Sequence, residues 1–291
     1  LSFASSGARF SFGVFLKPLS QHFGWSRAAV SAAMSVFYVV MGLAGPAAGR
    51  LTDKYGPKRV MIAGAIIAGA IFLLLSRVSS LWHLYLLYAL LATGTICMGL
   101  VPNAFTLSRW LHKKRGLALG IATSGIGLGG WILVPIISYV VNSRSWHAGY
   151  IVDAILLWVI VIPLVALVMK TSPQEMGLLP YGEAPEPQGA TAAALPSGKG
   201  PAVRAAAPGL SAAAAARTPA FWALAFASFV VGFGVVGYIQ HQVASLTDMG
   251  VSATVAALAL SFTAGIGVPG RVVFGYLADR MVNQARDLAL E

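Results

Sequence analysis

Gly49-Arg-Leu-Thr-Asp-Lys-Tyr-Gly-Pro-Lys-Arg59 is a short, strongly basic loop with a single carboxylate, Asp53, set between two apolar runs. Each run is long enough to cross a bilayer, which takes about 20 apolar residues in a helix. A related phrase, Gly275-Tyr-Leu-Ala-Asp-Arg280, returns 226 residues on (275 less 49), again just after an apolar run. That offset is too long for a solenoid repeat and suits two halves of a duplicated helical bundle. The reading is an all-α membrane protein.

Composition agrees. Of the 291 residues 57% are hydrophobic and only 10% charged, where a soluble domain carries about 25% charged residues. Mean hydropathy is +0.77. A net charge of +11 would suggest nucleic acid in a soluble protein. Here the Lys and Arg residues cluster between apolar runs, so they read as topology signals and no nucleic-acid partner is expected. The single cysteine, Cys97, lies inside an apolar run, which excludes a disulfide framework or a cysteine-based metal site. No metal or other cofactor is expected.

Eight apolar spans are read at residues 2–21, 29–49, 60–76, 82–107, 116–142, 147–169, 219–243 and 253–276. The connections after spans 2 and 4 carry Arg50, Lys54, Lys58 and Arg59, then Arg109, Lys113, Lys114 and Arg115. Those after spans 1, 3 and 5 carry only Arg27, Arg77 and Arg144, and the one after span 7 carries no basic residue. By the positive-inside rule the N-terminus and the even connections face the cytoplasm, in the inner membrane of a bacterial cell. Trp25, Trp82 and Trp146 fall on the other side as interfacial anchors. Residues 171–217 turn abruptly to Ala, Pro and Gly, which predicts a flexible cytoplasmic linker. The expected domains are a six-helix bundle at 1–170, the linker at 171–217, and the first two helices of an incomplete second bundle at 218–291. A start at Leu1 without Met and an end soon after the second basic phrase lead to the expectation of a fragment. Glycines four apart, at 45 and 49, 116 and 120, and 125 and 129, mark expected close helix contacts.

The basic phrase, its echo and the linker after six spans resemble the major facilitator superfamily. Within it the chain is similar to the monocarboxylate porters and the oxalate:formate antiporters. That likeness rests on Phe12-Gly-Val-Phe-Leu-Lys-Pro-Leu19, Gly24-Trp-Ser-Arg27, Arg109-Trp-Leu-His-Lys-Lys-Arg-Gly-Leu-Ala-Leu-Gly120, Ser172 to Gly182, and Gly270-Arg-Val-Val-Phe-Gly275. The resemblance implies two six-helix bundles with the second truncated, about eight helices of twelve. It also implies secondary transport of a small organic anion, a monocarboxylate such as lactate or pyruvate, by alternating access. Proton symport is the first expectation. Anion exchange of the oxalate:formate kind and a non-transporting membrane sensor are the alternatives. A lipid bilayer, the anion and a proton are the expected partners, and a monomer the expected state.

Arg271 leads the candidate residues. A charge within a span is expensive, and a guanidinium offers a planar fork that fits a carboxylate. The resemblance implies an Arg here that binds the substrate carboxylate; snorkelling to the cytoplasmic headgroups is the other reading. The acid that accompanies this Arg in animal members is replaced by Gly267, and a family Lys of helix 1 by Phe10, with Arg9 beside it. Lys17 matches a basic residue of the family pattern near the outer vestibule.

The resemblance implies that Gly49, Arg50, Asp53, Gly56, Lys58 and Arg59, with Gly275, Asp279 and Arg280, form a conformational gate, the carboxylates able to accept from N–H groups at a helix N-terminus; a solvated charged loop is the other reading. Asn103 either contacts substrate or ties helices together. Arg9, Asp153 and His241 are candidates for a proton or charge relay. The other readings are a charge at the cytoplasmic mouth, a cap near the interface and an interfacial His. Tyr38 and Phe262 either line the cavity or pack. No phosphate loop and no His-Glu-x-x-His or Gly-x-Ser-x-Gly motif occurs, so neither an ATP-driven pump nor a membrane hydrolase is supported and no enzyme is expected.

Overall fold

The computed structural model describes residues 2–111, 114–178, 181, 214 and 216–288, and the side chains of these apart from 2–8, 174 and 282–288. Most of the expected linker, 171–217, lies outside the described residues. Among the described residues every regular element is a helix, one isolated bridge between Leu111 and Tyr181 aside. In order these are α1 Ser2–Phe23, α2 Arg27–Tyr55, α3 Pro57–Leu75, α4 Leu81–Met98, α5 Leu100–Trp110, α6 Arg115–Ser143, α7 Trp146–Leu156, α8 Ile162–Val168, α9 Pro219–Asp248 and α10 Ala253–Leu288. A π turn, Leu157–Val161, joins α7 to α8 ahead of Pro163, and a 3-10 turn covers Pro173–Met176.

Among the described residues seven stretches of helix are long and apolar enough to cross a membrane, α4 with α5 and α7 with α8 counting as one each. The helix α1 is not among them, because Gly, Ser, Arg9 and Lys17 dilute its apolar content. It nonetheless supplies much of the core, with Phe12, Phe15, Leu16 and Leu19 buried. The Phe15 ring stacks on Tyr150 at 4.0 Å, and Phe12 meets Tyr88 edge-on at 5.6 Å. Buried hydroxyls satisfy themselves along their own helices, as Thr52 does on the Ala48 carbonyl and Thr95 on Leu91. That is how polar side chains are tolerated inside a bilayer.

Helix starts differ between the two ends. Ser26, Ser80 and Ser145 cap α2, α4 and α7, their hydroxyls accepting from the N–H groups of Ala29, His83 and Ala148. The deciding segment is not a loop. Helix α2 runs through Asp53 to Tyr55 and α3 begins at Pro57, leaving Gly56 alone between them. Gly56 has φ +80°, a conformation open to glycine, and Pro57 is preset for a first helical position. The echo is also helical, since α10 runs through 275–280 and beyond the expected end at 276.

By its contacts the chain divides into two compact units, residues 1–183 with 239–291, and residues 184–238. The second unit holds the start of α9, where Trp222 donates to the Ala216 carbonyl at 2.8 Å. Its Phe226, Phe229 and Phe233 are exposed, as lipid-facing side chains are.

Candidate functional site

The first unit is built around the packing of α10 on α6. Glycines let the two backbones touch: Gly120 lies against the Arg271 carbonyl, and a Cβ at Gly116 would fall 2.5 Å from the Gly275 carbonyl oxygen. The expectation for 116 and 120 therefore matches a real close approach. Gly45 differs, since a Cβ there would meet nothing within 4 Å, and one at Gly49 would touch only Val101 at 4.0 Å. Two glycines that the four-residue spacing did not mark, Gly127 and Gly130, face α10 as well.

Gly127 positions the principal cation. Arg271 has its backbone beside Gly120, but a Cβ at Gly127 would lie 2.8 Å from its Nη1. Seven residues of α6 separate those glycines, about 10.5 Å of rise. Side chains lean toward the N-terminus of their helix, so the Arg271 guanidinium points away from the Asp279 end of α10. Snorkelling to the nearer headgroups would need the opposite direction. Nη1 is buried and without a hydrogen-bond partner among the described residues. A Cβ at Gly267 would lie 3.9 Å from the Arg271 Cζ, so an acidic side chain at that position would be placed to meet the guanidinium.

Arg9 and Tyr38 join this region. Gln240 on α9, not picked out from the sequence, donates from Nε2 toward the Tyr38 hydroxyl at 3.4 Å and the Arg9 carbonyl at 3.5 Å. Its Oε1 is buried and has no hydrogen-bond partner among the described residues. Arg9 lies close enough to Tyr38 and Arg271 for its charge to act on both. Phe10 lies over Gly130 beside Ala264, so α1 forms a wall of the same region. The arrangement offers a cationic fork, an amide and a phenol, the groups that hold a carboxylate.

The other expected residues lie elsewhere. Phe262 is 66% exposed, on the far side of α10; nine residues before Arg271 is about 180° around a helix. Asn103 donates to the Gly99 carbonyl at 2.9 Å, across the break between α4 and α5. Asp153 is 4% exposed and accepts from Ser11 at 3.3 Å, deep in α7 and not at its cap. His241 is exposed in a cavity of about 360 Å³ with Arg27 and Asp248.

Of the gate residues, Asp279 accepts from the N–H groups of Gly116 and Leu117, both at 2.7 Å. Helix α6 has no side-chain cap of its own, its N-cap being Lys114 at φ 58°. Asp279 thus meets the free donors and positive end of α6 from another helix. Asp53, Arg50, Arg59 and Arg280 are exposed, and Lys58 donates to the Ala166 carbonyl near the end of α8 at 2.7 Å.

Among the described residues, seven stretches of helix long and apolar enough to cross a membrane define an integral multi-pass membrane protein. The model of the Major Facilitator Superfamily matches residues 1–288, and the chain belongs to that superfamily. It is 27% identical over 277 residues to the oxalate:formate antiporter of Oxalobacter formigenes, covering 95% of this chain and 60% of that protein. It is 28% identical over 269 residues to monocarboxylate transporter 13 of Bos taurus, 92% and 57% being covered. With monocarboxylate transporter 11 of Homo sapiens it shares 28% identity over 285 residues, covering 95% and 54%. The chain thus spans little more than half the length of these relatives.

Proposed function

We propose that the chain is the larger part of a secondary active transporter for small organic anions, monocarboxylates such as lactate or pyruvate, working by alternating access. The observation that carries this reading is Arg271, whose guanidinium is turned into the polar interior at the level of Gly127 with one buried donor unpaired. A buried cation without a counter-charge is unfavourable; a bound carboxylate would supply it, so substrate relieves a charge that the empty site leaves exposed to desolvation. Proton symport rests on Asp153, a buried carboxylate that no cation pairs with among the described residues. The gate comprises Asp53 and its neighbours in the first copy of the basic phrase and, in the second, Asp279 of α10, which meets the start of α6. The distribution of Lys and Arg supports a cytoplasmic N-terminus and linker; an inner-membrane location and one chain per transport unit complete the proposal.

Exchange of one anion for another is the second reading, favoured by Gly267, where an acid would be placed to meet Arg271. Uptake of radiolabelled lactate by the full-length protein in proteoliposomes, with and without an inward proton gradient, tests the proposal. Gradient-driven accumulation is the expected result. Stimulation by internal anion with no response to the gradient would replace symport by exchange. No uptake of any small carboxylate by folded protein would overturn transport and leave the sensor.

A further inference from the structure

Two ends of the first unit are held by carboxylates, and only one of them belongs to the basic phrases. Asp248 ends α9, five residues before α10 begins at Ala253, and Asp279 lies 26 residues beyond Ala253, about 39 Å further along α10. Asp248 sits on the Arg27 guanidinium in a two-pronged contact, Nη1 to Oδ2 and Nη2 to Oδ1, the latter at 2.9 Å. Lys17 Nζ approaches the same Oδ1 at 3.7 Å. The two cations come from α1 and the start of α2, the carboxylate from a helix more than 220 residues on. Their side chains remain 33% to 46% exposed. An exposed ion pair adds little to folding stability, so its consequence lies in which arrangement of the helices it favours. Beside it is the cavity lined by Leu16, Arg27, His241, Ala244, Ser245 and Asp248.

We propose that Lys17 and Arg27 form a binding site for a small carboxylate anion at the mouth opposite Asp279, and that Asp248 occupies it when this mouth is shut. The internal carboxylate displays the geometry that the site offers: one planar fork and one ammonium converging on two oxygens. When α9 moves away, the same fork and ammonium face the incoming anion, which competes with Asp248 for them. The anion therefore both docks at the mouth and keeps it open, before passing to Arg271. The choice of a carboxylate as ligand rests on the organic-anion reading above; the clasp itself does not.

The test uses the full-length protein with Cys97→Ser and a reporter cysteine at Ala244, which lines the cavity and is buried. Arg271→Ala is included so that the deeper site contributes nothing. Asp248→Asn should raise the rate of alkylation by a membrane-impermeant maleimide, by up to about fivefold, the upper limit for one exposed ion pair. Exchanging the charges, Arg27→Asp with Asp248→Arg, should bring the rate back toward the parent. In Asp248→Asn, lactate should slow alkylation relative to chloride at equal ionic strength, and adding Lys17→Gln and Arg27→Gln should abolish that protection. Unchanged alkylation in Asp248→Asn, with the charge exchange also silent, would overturn the clasp. Opening without protection by lactate, acetate or oxalate, or protection that survives loss of both cations, would overturn the binding site. Neither outcome bears on transport, which uptake decides separately.

Discussion

Replacing Gly116 by Ala isolates what the contact between α6 and α10 does. In an unobstructed helix Gly→Ala stabilises by about 0.5–1 kcal/mol through backbone entropy. Gly42 is such a position, with nothing within 4 Å of a new Cβ. At Gly116 the Cβ would stand 2.5 Å from the Gly275 carbonyl and 2.9 Å from Asp279 Oδ1, where ordinary contact begins at 3.4 Å. Relief requires the helices to part by about 0.9 Å, which would stretch the two 2.7 Å hydrogen bonds of Asp279 to about 3.6 Å, beyond useful range. Overpacking costs about 1–3 kcal/mol, and each hydrogen bond to a charged group is worth about 1.5–3 kcal/mol. Even at the low ends of these ranges, about 1 for overpacking and about 3 for the two hydrogen bonds, less about 1 gained from backbone entropy, Gly116→Ala is destabilised by about 3 kcal/mol while Gly42→Ala is neutral or stabilised. Thermal unfolding of the full-length protein in detergent should place Gly116→Ala below the parent and Gly42→Ala at or above it. Asp279→Asn should reproduce part of the loss. A Gly116→Ala protein melting at or above Gly42→Ala would refute the close approach and the Asp279 contact with α6 built on it.

Asp153→Asn, which keeps the shape and the contact with Ser11, should abolish gradient-driven lactate accumulation while leaving counterflow intact; persistent accumulation would place the proton elsewhere. Tyr38→Phe removes the hydroxyl that Gln240 reaches and should raise KM for lactate several-fold, whereas Phe262→Ala, on the exposed face of α10, should leave it unchanged. Equal effects of these two would mean that the polar interior described here is not where substrate binds. Gly127→Ala should mimic loss of Arg271 in uptake, because the new methyl would fall on its guanidinium.

The sequence made the spans and the basic connections readable because each depends on residues near one another in the chain. Apolar length decides a span, and a lone cation within it, Arg271, marks a candidate. What it concealed were facing and partnership. Phe262 and Arg271 share a helix, yet nine residues set them on opposite sides. The spacing marked Gly125 and Gly129, while the guanidinium rests against Gly127, a choice made by how α10 crosses α6. The basic phrase around Asp53 read as a loop because charged residues are rare within membrane spans, although they form helices readily beyond them; the single Gly56 lets both helices run nearly to meeting. Gln240 and Asp248 carried no signal, since their partners Tyr38 and Arg27 lie 202 and 221 residues away.

The central claim is that the Arg271 fork binds the carboxylate of the transported anion. The direct test is lactate uptake by full-length protein carrying Arg271→Lys, beside the parent and Arg271→Ala. Lysine keeps the charge and loses the planar fork. The account predicts abolished uptake in Arg271→Ala and a large rise in KM in Arg271→Lys. Parent-like uptake and affinity in Arg271→Lys would contradict it.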